Sequence, residues 1–373
     1  MKTQGHARHG RLGFRQQCLF GAALCLAALL VPLTVGADEQ SPALDAYRKD
    51  VDAAIERALA FLAKQQKKDG SFVSGAMDQN TGISSLCVMA FLAKGYTPAS
   101  GPYQDVINRG IDFILDQQKP NGLLVGETKS HGPMYSHSIS ALMLAEVSGM
   151  VDPDRQQRID EALSKALKIT LAAQKVQRQN PRQQGGWRYQ HTSQDSDMSL
   201  TGWALMSLRS ARANGADIPK QAVDDAIKFV MNCRTGDGGF AYQPGSAPGL
   251  ARTGTALLCL ELCGRHQDAA ALAAGDWVLR HLPTRFEERG RGEGDGFFYY
   301  GLYYCSQGMF QLGGKYWETW ATAMYDMMLK CQEKDGRWPE GGGNEGRAGP
   351  CYSTAMGVLA MSVACRQLPI YQR

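Results

Sequence analysis

Past its first 37 residues the sequence lacks three things: an excess of either charge, a cysteine pair at C-x-x-C spacing, and an apolar run long enough to cross a bilayer. Four of the 40 Lys and Arg but none of the 36 Asp and Glu precede Asp38, so from there on the two signs balance. The slight basicity of the whole chain therefore belongs to its N-terminus, and no nucleic-acid-binding surface is indicated. Beyond Ala37 no stretch approaches the roughly 20 apolar residues of a spanning helix. Of the ten cysteines, the eight that follow the leader sit mostly inside apolar helical patterns, which predicts buried free thiols. Cys259 and Cys263 lie one helical turn apart, yet no histidine or second cysteine pair stands beside them to complete a zinc site. Neither a metal nor a cofactor is expected.

What is present begins with an export signal. Lys2, Arg8, Arg11 and Arg15 precede the apolar run from Cys18 to Val31, and Val35-Gly36-Ala37 offers a small-residue cleavage site. The pattern predicts a signal peptide over residues 1–37, a mature domain over 38–373, and a periplasmic or secreted protein.

The mature chain repeats. Val51, Ile55, Leu59 and Leu62 mark an amphipathic helix that ends at Gln66-Lys-Lys-Asp69-Gly70-Ser-Phe72, and Ser84 to Gly95 follows as a helix apolar all round. Thr81, Ser84 and Ser85 are its expected N-caps. The same succession returns at Gln118-Lys-Pro-Asn121-Gly122-Leu123, Gly185-Gly186-Trp187, Gly236-Asp237-Gly238-Gly239-Phe240, Gly294-Asp295-Gly296-Phe297 and Gln332-Glu-Lys-Asp335-Gly336-Arg-Trp338. Each turn glycine can take the left-handed conformation that ends a helix, and the aromatic behind it can fold back on the helix just ended.

The six units recur roughly forty to sixty residues apart, too irregularly for tetratricopeptide or ankyrin arrays. An open solenoid needs polar end repeats, and neither the first nor the last unit is more polar than the middle ones. The expected fold is all-α, a closed six-hairpin α/α toroid with buried helices inside and amphipathic helices outside.

The QxxDGxF and QxxDGxW turns, with their alternation of outer and inner helices, resemble the terpenoid cyclase and protein prenyltransferase toroid family, in particular its squalene-hopene cyclase branch. The resemblance covers Val51 to Arg366. It implies a central cavity that opens where the inner helices begin, and an isoprenoid or triterpenoid as ligand. The segment GGWRYQ…DSDMSLTGWAL also resembles the cyclase segment carrying the D-x-D-D acid motif, although here the tetrad reads Asp195-Ser196-Asp197-Met198 and its last carboxylate is missing. The prenyltransferase zinc ligands are absent, as is the D-D-x-x-D magnesium motif.

Residues at the starts of the inner helices are the candidates for a site. Asp195, Asp197 and His137 are the candidate catalytic groups, Asp197 having the alternative role of an N-cap directly before Met198. Tyr135, Trp187, Tyr189, Trp203, Tyr242, Arg252, Tyr300, Tyr303, Tyr304 and Tyr352 are the candidate substrate-binding residues. Such an aromatic wall suits a hydrocarbon or a carbocation. The expectation is an exported repeat protein that binds, and as an enzyme would cyclise or isomerise, an isoprenoid. Two alternatives stand beside it. One is a non-catalytic toroid holding a lipid or a protein partner; the other is an α/α-barrel enzyme on polysaccharide, drawing a carboxylate pair from Glu146, Asp195, Asp197, Glu293 and Asp295.

Overall fold

Two residue patterns decide which segments become helices and where they lie. The structure, a computed structural model, describes residues 42–77, 79–126, 132–265, 268–283, 285–286, 297–343 and 345–371. The expected signal peptide, the turn residues Gly294, Asp295 and Gly296, and Glu293 lie outside the described residues. Thirteen helices follow in chain order among those described: α1 (Pro42–Asp45), α2 (Arg48–Lys64), α3 (Thr81–Lys94), α4 (Gln104–Asp116), α5 (Met134–Val147), α6 (Pro153–Lys175), α7 (Met198–Ala213), α8 (Lys220–Asn232), α9 (Leu250–Leu262), α10 (Ala269–Arg280), α11 (Phe298–Leu312), α12 (Gly314–Cys331) and α13 (Pro350–Met361). None of them is long and apolar enough to cross a membrane.

From α3 onward the odd-numbered helices are buried nearly all round; in α5 each residue except Tyr135 is buried. The even-numbered ones bury a single face, as α4 does through Ile107, Ile111 and Ile114. Each odd helix from α3 to α13 touches the next, and α13 touches α3, so the inner ring is closed. The outer helices pack chiefly on the inner helix that precedes them, α4 on α3 and so on round, with α2 on α13. The tight hairpin is thus inner-then-outer, whereas the sequence repeat runs outer-then-inner. The long glycine turn separates an outer helix from the inner helix it leads to.

The turns act as clasps between neighbouring outer helices. Gln66 Nε2 donates to Gly70 O of its own turn at 3.1 Å and to Val106 O of α4 at 2.8 Å. Gln118 does the same to Gly122 and Ala162 of α6, and Gln174 to Gly185 and Ala222 of α8. The last turn joins the ring's ends: Gln332 Nε2 donates to Gly336 O and, at 2.8 Å, to Ala54 O of α2. Gly336, at φ +95°, rests on Arg57 O so closely that a Cβ there would lie 2.3 Å from it. The aromatics fold back as their position suggests. Trp187 Nε1 donates to Thr170 O of α6, and Trp338 Nε1 to Met328 O of α12.

A second bond recurs. The amide after four of the turns donates to a hydroxyl inside the next inner helix: Phe72 to Ser84, Trp187 to Thr201, Phe240 to Thr253 and Trp338 to Thr354. Ser84 therefore serves this link rather than capping α3. Asn80 is the cap, its Oδ1 accepting from Ile83 N at 3.0 Å. All eight cysteines of the domain are free thiols, Cys365 exposed and Cys263 and Cys331 half-buried. Among the described residues no cluster, the Cys259 and Cys263 pair included, could hold a metal ion.

Candidate functional site

Six inner helices begin at one rim, so their unpaired N–H groups and positive dipole ends converge there. Behind that rim lies a cavity of about 510 Å³. Its wall is aliphatic at Ile83, Leu86 and Ile139 and aromatic at Tyr135, Tyr189, Trp203, Tyr242, Phe297, Tyr300 and Tyr352. Arg252, Arg347 and Glu345 are its charged groups.

Seven of the ten substrate-binding candidates are thus on the wall: Tyr135, Tyr189, Trp203, Tyr242, Arg252, Tyr300 and Tyr352. The other three lie behind it. Trp187 is turned onto α6 by its indole bond to Thr170. Tyr303 and Tyr304 lie one turn below Tyr300, where Tyr303 stacks on Trp203 at 5.5 Å and Tyr304 meets its edge at 5.3 Å. They back the cavity's aromatic floor without facing it.

The three catalytic candidates are not on the described cavity wall. Asp197 is fully buried as the N-cap of α7, its Oδ1 accepting from Leu200 N at 2.9 Å and from Ser199 Oγ at 2.8 Å. Burial pushes its carboxyl up, and the Leu200 amide, the Ser199 hydroxyl and the Arg188 guanidinium work against that. It reaches the cavity through two wall residues: Ser199, whose Oγ also accepts from Tyr135 OH at 2.9 Å, and Tyr242, whose hydroxyl shares Arg188 with it. Asp195 is half-exposed and paired with Arg188 Nε at 3.0 Å.

His137 is fully buried behind the wall. Its Nδ1 accepts from Leu124 N at 3.2 Å, the same link that Ser or Thr makes in the other repeats. The proton then belongs on Nε2, which donates to Thr170 Oγ1 at 3.1 Å. Burial lowers the ring to about 4, so it stays neutral at ordinary pH.

Two residues that the sequence reading passed over hold the site together. Arg188 joins the rim loops: it pairs with Asp195 and Asp197, donates to Tyr242 OH at 2.9 Å, and lies 4.2 Å from the Tyr189 ring centre. Tyr189 and Tyr242 share a 2.5 Å hydroxyl contact above it. Glu345 is the buried carboxylate of the wall. It stands on a short 3-10 turn, Glu345–Ala348, and reaches across to the start of α11, accepting from Tyr299 N at 3.0 Å and Tyr300 N at 2.9 Å. Tyr352 OH donates to it at 3.1 Å. Burial pushes it up to about 7 against those three bonds. The signal for it was the recurrence of an acid or amide, Asn80 and Asp197, in other rim loops.

The fold and this cavity define an α/α toroid. The sequence profile of the prenyltransferase alpha-alpha toroid domain matches residues 13–186 and 102–295, so the chain belongs to that family. No curated protein matches the sequence. Among solved structures, the ligand-free type II terpene cyclase MstE from Scytonema is similar at a TM-score of 0.54 and 14% identity, over 86% of this chain and 99% of that one. A variant of MstE in complex with geranylgeranyl dihydroxybenzoate gives 0.55, also at 14%, over 87% and 100%. A glycosidase variant gives 0.56 at 11%, over 86% and 98%. At these identities the likeness is one of fold.

Proposed function

We propose that the protein is an exported toroid that binds an isoprenoid or triterpenoid lipid in its central cavity. The observation that carries this reading is the cavity wall, seven aromatic side chains and an aliphatic patch round about 510 Å³. Such a surface gains by covering a long hydrocarbon. The MstE complex, in which a toroid of this fold holds a geranylgeranyl compound, supports it by analogy of fold. Arg252 and Arg347 suit a polar or anionic end on the ligand, left at the mouth while its apolar body enters.

The geometry favours binding over cyclisation begun by alkene protonation. That reaction needs a strong acid facing the substrate. Asp195 and Asp197 are held by Arg188 behind the rim, and Glu345, which does face the cavity, is pushed up to about 7. Glu345 is better placed to accept a proton or to face a cation than to protonate a hydrocarbon. The glycosidase neighbours raise a sugar-cleaving reading, which requires a second carboxylate opposite Glu345. Glu146 does not supply it, being bonded to Ser210 Oγ and Ile370 N at the far end of the ring.

Calorimetric titration of the mature domain with geranylgeraniol tests the proposal. Saturable binding with a negative heat-capacity change is expected. Failure of a folded sample to bind it, with binding of a soluble oligosaccharide in a parallel titration, would replace the lipid reading by the sugar one.

A further inference from the structure

At the end of the ring opposite the cavity mouth, where α7 and α9 finish beside α8, a groove of about 810 Å³ opens to solvent. Its floor is an apolar stripe along α8, Val223, Ile227 and Met231, continued by Leu262 at the end of α9. Its walls carry five cations, Arg209, Arg212, Lys220, Lys228 and Arg265, against one carboxylate, Asp224. In a domain whose charges balance overall, that is a marked local excess.

Three of the five are engaged at home. Lys220 pairs with Asp224 at 2.6 Å, Arg265 with Asp268 at 2.5 Å, and Arg209 Nε donates to Leu262 O at 3.1 Å. Arg212 and Lys228 are exposed, and no carboxylate among the described residues pairs with either. Ile227 at the middle of the stripe also packs into the core with Ala222, Ala226, Phe229 and Val230, whereas Val223, Met231 and Leu262 are only partly buried against it.

We propose that this groove docks an acidic amphipathic helix of a partner protein. The stripe from Val223 to Met231 runs roughly 12 Å, about two helical turns, so it fits two apolar side chains one turn apart, with Asp or Glu flanking them to meet Arg212 and Lys228. Charge and shape select this occupant. The chain's own N-terminal segment carries Lys2, Arg8, Arg11 and Arg15 and would be repelled. A bilayer surface needs apolar side chains that protrude. Here they are recessed between cations, and the exposed large hydrophobics among the described residues, Val73 and Phe297, are not in this groove.

The test uses fluorescence anisotropy with a labelled synthetic peptide of about 15 residues, Ala-based, with two Leu one turn apart flanked by Glu. Saturable binding to the mature domain is expected, weakened at least about ten-fold by the pair Arg212→Glu and Lys228→Glu at unchanged thermal midpoint. A matched peptide with Ser for Leu should bind at least about ten-fold more weakly than the parent. The absence of binding, equal affinity for the Leu and Ser peptides, or indifference to the charge reversals would each overturn the proposal. So would co-sedimentation with phosphatidylglycerol vesicles that the same reversals abolish, which would assign the groove to a membrane.

Discussion

The carboxyl groups of this domain take their roles from what they can reach. Asp197 is a cap held by a helix end and an arginine, so Asp197→Ala should cost about 1–2 kcal/mol of stability in a urea melt while leaving isoprenoid affinity unchanged. Glu345 and Glu146 are both raised to about 7 from an ordinary 4.5 by burial. Between those values the folded chain holds more protons than the unfolded one, so each makes stability fall as pH rises from about 4.5 to 7. His137, lowered to about 4, works the other way, its contribution being lost as pH drops from 6.5 towards 4. Glu345→Gln should therefore flatten the decline between about pH 5 and 7, by order of 1–3 kcal/mol across it, and His137→Ser should remove the acid-side loss. Stability against pH measured by denaturant titration checks both; profiles parallel to the parent would contradict the burial of these groups.

Helices and turns were legible because their signals are local. Amphipathic spacing, a glycine at the end and an aromatic behind it are written within a few residues, and the structure places Gly70, Gly122, Gly185, Gly238 and Gly336 at positive φ as that pattern requires. The facing of the inner helices was not legible. A helix apolar all round has no stripe to say which side meets the axis, and so Tyr303 and Tyr304 were grouped with Tyr300, although only Tyr300 is on the wall. Glu345 was missed for a related reason, since its partners are the amides of Tyr299 and Tyr300, more than forty residues away. The clasps give this scale its own prediction. Gly336→Ala meets both a positive φ and Arg57 O, whereas Gly215→Ala, at φ +88°, meets nothing within 4 Å. The first should destabilise by about 2 kcal/mol or more beyond the second, as read from paired chemical melts.

Closure of the ring organises the whole molecule. Because α13 seals against α3 and α2, with Gln332 bonded to Ala54, the last repeat is part of the core rather than an end cap. Deleting the chain from Pro350 onward should therefore leave an unfolded or molten product by circular dichroism and dye binding; a cooperative melt from the shortened chain would mean that the repeats stand alone as a solenoid does. Closure also creates the cavity, and with it the functional reading: six helix starts, seven aromatics and one buried carboxylate face a volume that no single repeat could enclose.

That reading is tested most directly by native mass spectrometry of the protein purified from its own membrane-containing lysate, with organic extraction and identification of what is released. The account predicts a polyprenyl or triterpenoid species bound one to one, and its loss when Trp203→Arg places a charge on the cavity wall of a still-folded domain. An empty cavity under these conditions, or a bound species that Trp203→Arg does not displace, would contradict it.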